Sequence, residues 1–204
     1  VEAGWEVHWL IGEDSIFSAV KNKCTALKLV PDDIVIICHD DIEIFQDKKV
    51  FNRLIHNNLD SKTGFLGVAG TPSFGVNQER PCAWWSELPH SQMRGIVWHG
   101  NNLEDCFATF FGAYGNAVVM DGVFLCTTGR VLNSIQLTQP KTFPGPWDFY
   151  DIFYTFQAYV NGLENKVIPI TIRHASMGHP RPEWNFNRHA FIQLFSKYLP
   201  AVVR

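Results

Sequence analysis

Apolar residues at positions 16, 17, 20, 24, 27 and 30 recur near a helical period, behind Ser15 as an N-cap and ahead of Pro31-Asp32-Asp33 as a stop. Ile34-Val35-Ile36-Ile37-Cys38 follows without alternation, the pattern of a buried strand in a parallel sheet, apolar on both faces. With a short strand over 7–11 and a turn at 12–15, residues 7–38 read as a strand–helix–strand unit, the building block of an α/β sheet. The later pattern predicts a helix over 49–59, a strand over 65–70 and a strand-like run over 116–128, interrupted at Asp121-Gly122. A short helix over 129–137 and an amphipathic helix over 148–162, stopped by Asn161-Gly162, come next. A strand over 166–178, held to a sheet edge by Pro169, and a helix over 186–199 close the chain. Residues 71–116 show no period and are rich in Trp, Gly and Asn, which marks them as a functional loop region.

This order predicts an α/β fold with a mixed, mostly parallel central sheet flanked by helices. No repeat, low-complexity tract or linker divides residues 1–204, so a single domain is expected. A hydrophobic content of 46% fits a packed globule and argues against disorder. The net charge of −3 gives no electrostatic footprint for nucleic acid. No apolar stretch approaches the ~20 residues of a transmembrane helix. The five cysteines are odd in number and share no CxxC spacing, while Cys38 and Cys126 lie in apolar runs. Free thiols and the absence of signal-peptide features at the start of the sequence point to a reducing, cytoplasmic location.

The chemistry sits at predicted strand ends. The run 34–38 delivers His39, Asp40, Asp41 and Glu43 within five residues. Burying unpaired carboxylates costs several kcal/mol, so either a cation balances them or they form a solvated turn. Asp121-Gly122 interrupts another strand, His174 ends a third, and Asp148 and Asp151 open a helix. Ligands of open α/β sheets collect outside the carboxyl ends of strands. One or two carboxylates, an imidazole and substrate phosphates describe a Mg²⁺ or Mn²⁺ nucleotide site. Taken singly, each signal has an ordinary reading: an acidic turn, a hydrogen-bonded histidine, two acids favoured by a helix dipole. Their recurrence in one order favours the functional reading.

"EDSIFSAVKNKCTALKLVPDDIVIICHDDIEI", "VVMDGVFLCTTGRVL" and "WDFYDIFYTFQAYVNGLENKVIPITIRHASMG" together resemble GT-A fold glycosyltransferases of the family 2-like group, over roughly residues 7–178. More narrowly, the chain looks like the small chlorovirus glycosyltransferases that decorate capsid protein, which would place it in the host cytoplasm. The resemblance implies a nucleotide and metal half over about 1–70 and a donor-sugar and acceptor half over about 71–204. It implies transfer of a hexose or deoxyhexose from a UDP-sugar to a hydroxyl of a glycan or glycoprotein, with Mn²⁺ or Mg²⁺. Asp41 would bind the metal, with His174 a further contact, Asp40 on the ribose or a metal-bound water, and His39 in the place of the motif's first acid. Glu13 and Asp14 would read the uracil edge, with Lys21 near base or phosphate. Asp121 and Gly122 would hold the donor sugar. Asp151 takes the place of the general base, with Asp148 beside it.

Tyr150, Phe153 and Gln157 depart from the family pattern, which leaves inverting and retaining outcomes both open. Trp84, Trp85 and Trp147 would line the acceptor site, and His179 and Arg181 would close over the diphosphate, against the ordinary readings of core tryptophans and a solvated tail. Two rival functions are a metal-dependent phosphohydrolase, whose motif would continue to a Thr that "HDDIEIF" lacks, and a non-catalytic carbohydrate-binding module.

Overall fold

The computed structural model describes residues 4–102, 104–176 and 181–203. Helix α1 (Ile16–Leu27) begins where the Ser15 hydroxyl accepts the Ser18 N–H at 3.0 Å and ends at Lys28 in the left-handed conformation. Strands β1 (Ile34–Cys38) and β2 (Ile42–Ile44) flank the acidic turn, and α2 (Lys48–Asn58) follows from its Asp47 cap. Next come β3 (Thr63–Gly67), β4 (Ala69–Thr71), β5 (Ser73–Phe74), β6 (Arg94–His99), β7 (Phe107–Gly112), β8 (Gly115–Ala117), β9 (Val119–Met120) and β10 (Phe124–Thr128). The remaining elements are α3 (Gly129–Leu132), α4 (Tyr150–Val160), β11 (Glu164–Val167), β12 (Ile172–His174), α5 (Pro182–Leu194) and β13 (Ala201–Val202).

The strands form a first sheet in the order β1-β10-β3-β11-β8 and a second in the order β2-β12-β6-β4-β9, with β7 paired to β6 and a small β13-β5 pair apart. This corrects the expected helix-flanked, mostly parallel sheet. Among the described strands only β3–β11 and β6–β12 pair in parallel; all other pairings are antiparallel. The chain is mixed α/β but mostly β, with 13 strands against 5 α-helices among the described residues. The physical reason lies in β10, which inserts antiparallel between β1 and β3 and pairs Cys126 with both Ile36 and Leu66. An unbroken apolar run records burial on two faces but not the direction of the neighbouring strand. Burial of β1 is also less than its composition suggests: it ends the sheet, Ile34 to Ile36 are half-buried, and Cys38 is exposed.

Three further expectations change. Residues 7–11 join no strand, and Val7, Trp9 and Ile11 are exposed. The region read as irregular contains β4 to β8, because the glycines and outward-facing aromatics of β7 hide its alternation. The strand over 166–178 divides around Pro169, which lies between β11 in the first sheet and β12 in the second. Pro169 marks a crossing rather than an edge.

The core fills the space between the first sheet and α4. Phe65, Leu66, Phe124, Leu125 and Cys126 of the sheet and Phe153, Tyr154 and Phe156 of α4 are all fully buried, and Phe124 packs on Phe51 of α2. Phe156 stacks edge-on to Phe191 of α5 at 5.1 Å, and Phe191 meets Phe195 at 4.7 Å. Burying each such ring is worth about 1.5–3 kcal/mol. That packing fixes α4, and with it the first-turn Asp151, against the sheet. Among the described residues, no helix is long and apolar enough to cross a membrane.

Candidate metal centre

The two sheets meet at the end of β1. His39 follows β1, Asp41 precedes β2, and the antiparallel pairing of β2 with β12 sets Ile42 opposite His174. Parallel pairing sets His174 opposite His99 at the end of β6. His39, Asp41 and His174 each offer one ligand atom, and these atoms lie within 4.8 Å of one another. His39 Nδ1 is 3.0 Å from His174 Nε2, and Asp41 Oδ1 is 3.0 Å from the same nitrogen. Ser176 adds its hydroxyl at 3.2 Å from His174 Nε2 and its N–H to Asp41 Oδ2 at 3.1 Å.

Partial burial acts to raise the Asp41 pKa, but hydrogen bonds from Ser176 and the facing imidazoles outweigh it and hold the carboxyl below its ordinary value. Burial lowers the His174 pKa against the pull of Asp41, so its imidazole favours the neutral form that ligates metals. Two imidazoles and a carboxylate are a chemically competent donor set for a divalent first-row ion. Asp40 is exposed and outside this cluster. Glu43 turns away and accepts the Arg173 guanidinium at 2.8 and 3.2 Å.

An acid pair stands beside the cluster. The carboxylate of Asp121 is close enough to bear on the His174 imidazole, and the N–H of His39 donates to Val123 O at 3.3 Å. Asp121 Oδ1 accepts the Val123 N–H at 2.8 Å, and Oδ2 accepts the Trp84 indole N–H at 3.1 Å. Asp151 Oδ2 accepts the Gly122 N–H at 2.8 Å, and Oδ1 accepts its own helix's Ile152 N–H at 2.8 Å. Burial, and then the charge of Asp121, push the Asp151 carboxyl up to about 7. Gly122 is required for this approach, since a Cβ there would meet Tyr150 Oη at 2.5 Å and Asp151 Cβ at 2.9 Å. Phe149, buried and left-handed at φ 69°, turns the chain into α4 and is gripped by Trp184 and Phe191. Backbone strain therefore sits two residues before Asp151.

Other sequence-derived positions are dispersed. Asp148 is held by Arg181, Nη2 to Oδ2 at 3.0 Å; burial raises its pKa and Arg181 opposes the rise. Glu13, with Asn22 and Trp9, lines a cavity of about 250 Å³, while Asp14 is exposed. Lys21 lines a different cavity, with Lys28 and Asn133. Trp84 is buried against Phe111, Trp85 meets Trp184 at 4.7 Å with Arg80 over its ring, and Trp147 is 38% exposed. His179 lies outside the described residues. Two participants carried no role in the sequence reading. Ser176 follows His174 by two residues, a spacing visible in "HAS", whereas no apolar alternation marks β6, and with it His99, as a strand end.

No protein-family model matches the chain, and no curated protein matches it either.

Proposed function

We propose that this protein transfers a hexose or deoxyhexose from a UDP-sugar to a glycan hydroxyl with the aid of a divalent metal. The observation that carries this reading is the convergence of the His39, Asp41 and His174 ligand atoms within 4.8 Å of one another, with Asp121 near enough to act on His174 and in turn on Asp151. His39, Asp41 and His174 would hold the ion, and Ser176 would orient Asp41 through its N–H. When bound, such an ion supplies charge to balance a departing diphosphate. A carboxyl with a pKa near 7 suits a general base at neutral pH, and Asp151 takes the acceptor hydroxyl's proton onto its carboxylate. Trp84 holds Asp121 through its indole N–H as a positioning residue, and the cavity lined by Glu13 and Trp9 would take the base.

The same donor set, two histidines and one carboxylate, is also that of non-haem iron(II) oxygenases, and this supports a second reading. That reading gives the paired acids no task. Incubation with UDP-, GDP- and CMP-sugars plus Mn²⁺, followed by chromatography of released nucleotide, separates the two. Turnover of a UDP-sugar that stops on chelation supports transfer. Inertness toward every nucleotide sugar, with Fe²⁺-dependent oxygen consumption, would replace transfer with the second reading.

A further inference from the structure

We infer that Arg80, held over Trp85 and backed by the charge of Arg188, is the contact residue of a subsite for an acidic sugar, one that carries a carboxylate or a phosphate. Calling that sugar part of the acceptor rests on the transfer proposed above; the subsite itself does not.

The Arg80 guanidinium carbon lies 5.5 Å from the centroid of the Trp85 ring. Trp85 packs on Trp184 at 4.7 Å, and Trp184 packs on the buried Phe149 at 5.1 Å. A guanidinium carries five N–H donors in a planar fork that matches a carboxylate or a phosphate. Among the described residues the Arg80 side chain makes no hydrogen bond and no ion pair; only its backbone N–H bonds, to Asn77 Oδ1 at 2.9 Å. The residue is nonetheless half-buried. An incoming oxyanion therefore meets a donor set already in place and not otherwise engaged.

Arg188 stands behind it, four residues after Trp184 on α5 and only 8% exposed. Its Nη1 donates to Pro81 O at 2.7 Å and its Nη2 to His189 Nε2 at 3.2 Å, while the buried Nε has no partner. Arg188 keeps its proton, and no acid is ion-paired with it among the described residues. Burial, and then the charge of Arg80, lowers the Arg188 pKa, with Cys82 and Glu87 opposing. Both Glu87 oxygens are already engaged by backbone N–H groups. Two cations beside one committed carboxylate leave this corner with an excess of positive charge. A ligand oxyanion on Arg80 offsets it, and Arg188 adds attraction through its charge while its own N–H groups stay with the protein.

That the oxyanion belongs to a sugar follows from position. Trp85 meets Trp84 edge-on at 6.3 Å, and Trp84 reaches Asp121 through its indole N–H at 3.1 Å. The free guanidinium is thus linked through two tryptophans to the acid pair. An acceptor glycan whose reacting hydroxyl lies at the acids extends its next unit toward Arg80.

Titration of the protein, free of nucleotide and metal, with glucuronate, glucose 6-phosphate, glucose and inorganic phosphate tests this. Tryptophan indole N–H signals in the NMR spectrum report binding, and Trp85→Phe assigns the Trp85 signal. Expected is a Trp85 shift with at least one acidic sugar, bound about tenfold or more tighter than glucose. The tighter of the two acids shows whether the charge is a carboxylate or a phosphate. Arg80→Gln weakens that binding about tenfold, and Arg80→Lys, which keeps the charge and loses the fork, weakens it by less. Arg188→Gln weakens it about threefold. Melting curves show which variants fold; if Arg188→Gln does not, the two variants at half-buried Arg80 decide. Three results would overturn the subsite: equal affinities for glucose and both acids, acid binding unchanged in Arg80→Gln, or inorganic phosphate bound as tightly as both acidic sugars, an adventitious ion only. Acidic-sugar binding by a protein inert toward every nucleotide sugar would uphold the subsite and remove the proposed transfer.

Discussion

Two carboxylate sites in this molecule have opposite hydrogen-bonding balances. Glu87 is buried, yet its Oε1 accepts the Gly75 and Cys82 N–H groups and its Oε2 those of Val76 and Asn77. Both carboxylate oxygens find two backbone donors each, so the buried group is compensated by the backbone around it. At the strand-end site the balance is inverted: one His174 nitrogen faces three claimants, and Asp151 lies beside another acid. On this contrast Glu87 has the environment of a structural carboxylate, and the crowded donors at the converging strand ends have that of a candidate metal centre.

The sharpest break of this contrast is Asp41→Ala, which removes the sole carboxylate of the ligand set. Metal-dependent turnover falls by roughly 10³-fold or more while the melting temperature in chelator changes little, read by nucleotide release and calorimetry. Asp151→Asn follows, with kcat down by roughly 10²–10⁴-fold and Mn²⁺ affinity within a few-fold of native. This variant also has a pH signature. The folded pKa near 7 lies above the ordinary ~3.9, so the folded state holds the extra proton between those values. Asp151 therefore stabilises least once pH has risen through about 7, and Asp151→Asn gains on the native protein between pH 5 and pH 8, measured by thermal melts across that range.

Glu87→Ala probes the other side of the comparison. Stranding buried N–H groups costs about 3–5 kcal/mol, or ~10 °C in melting temperature, while Mn²⁺ affinity of the folded fraction is retained. The smallest effect is expected of Trp84→Phe, which keeps a buried ring and drops the indole donor to Asp121. It costs about 1–2 kcal/mol of stability and lowers kcat several-fold at unchanged KM.

The same contrast explains what was legible in the sequence. Local signals held well: the Ser15 cap starts α1, the run 34–38 is β1, and the helices around 49–59 and 148–162 lie within two residues of α2 and α4. His39, Asp41 and His174 were readable as polar residues ending apolar runs, since strand ends show themselves through composition. Strand direction did not, because β10 enters between β1 and β3 through contacts far apart in the chain. Nor did the burial of Trp84 behind Asp121, which depends on an unread pairing of β6 with β7. Glu87 gave no signal either, because its donors are backbone N–H groups that every sequence contains.

The central claim is that His39, Asp41 and His174 hold a metal that carries a nucleoside diphosphate. The most direct measurement is the thermal shift of native protein and Asp41→Ala with UDP, GDP and CMP, each with and without Mn²⁺. The account predicts a rise in melting temperature with UDP that requires Mn²⁺ and vanishes in Asp41→Ala. A native protein whose melting temperature no nucleotide moves in the presence of Mn²⁺ would contradict it.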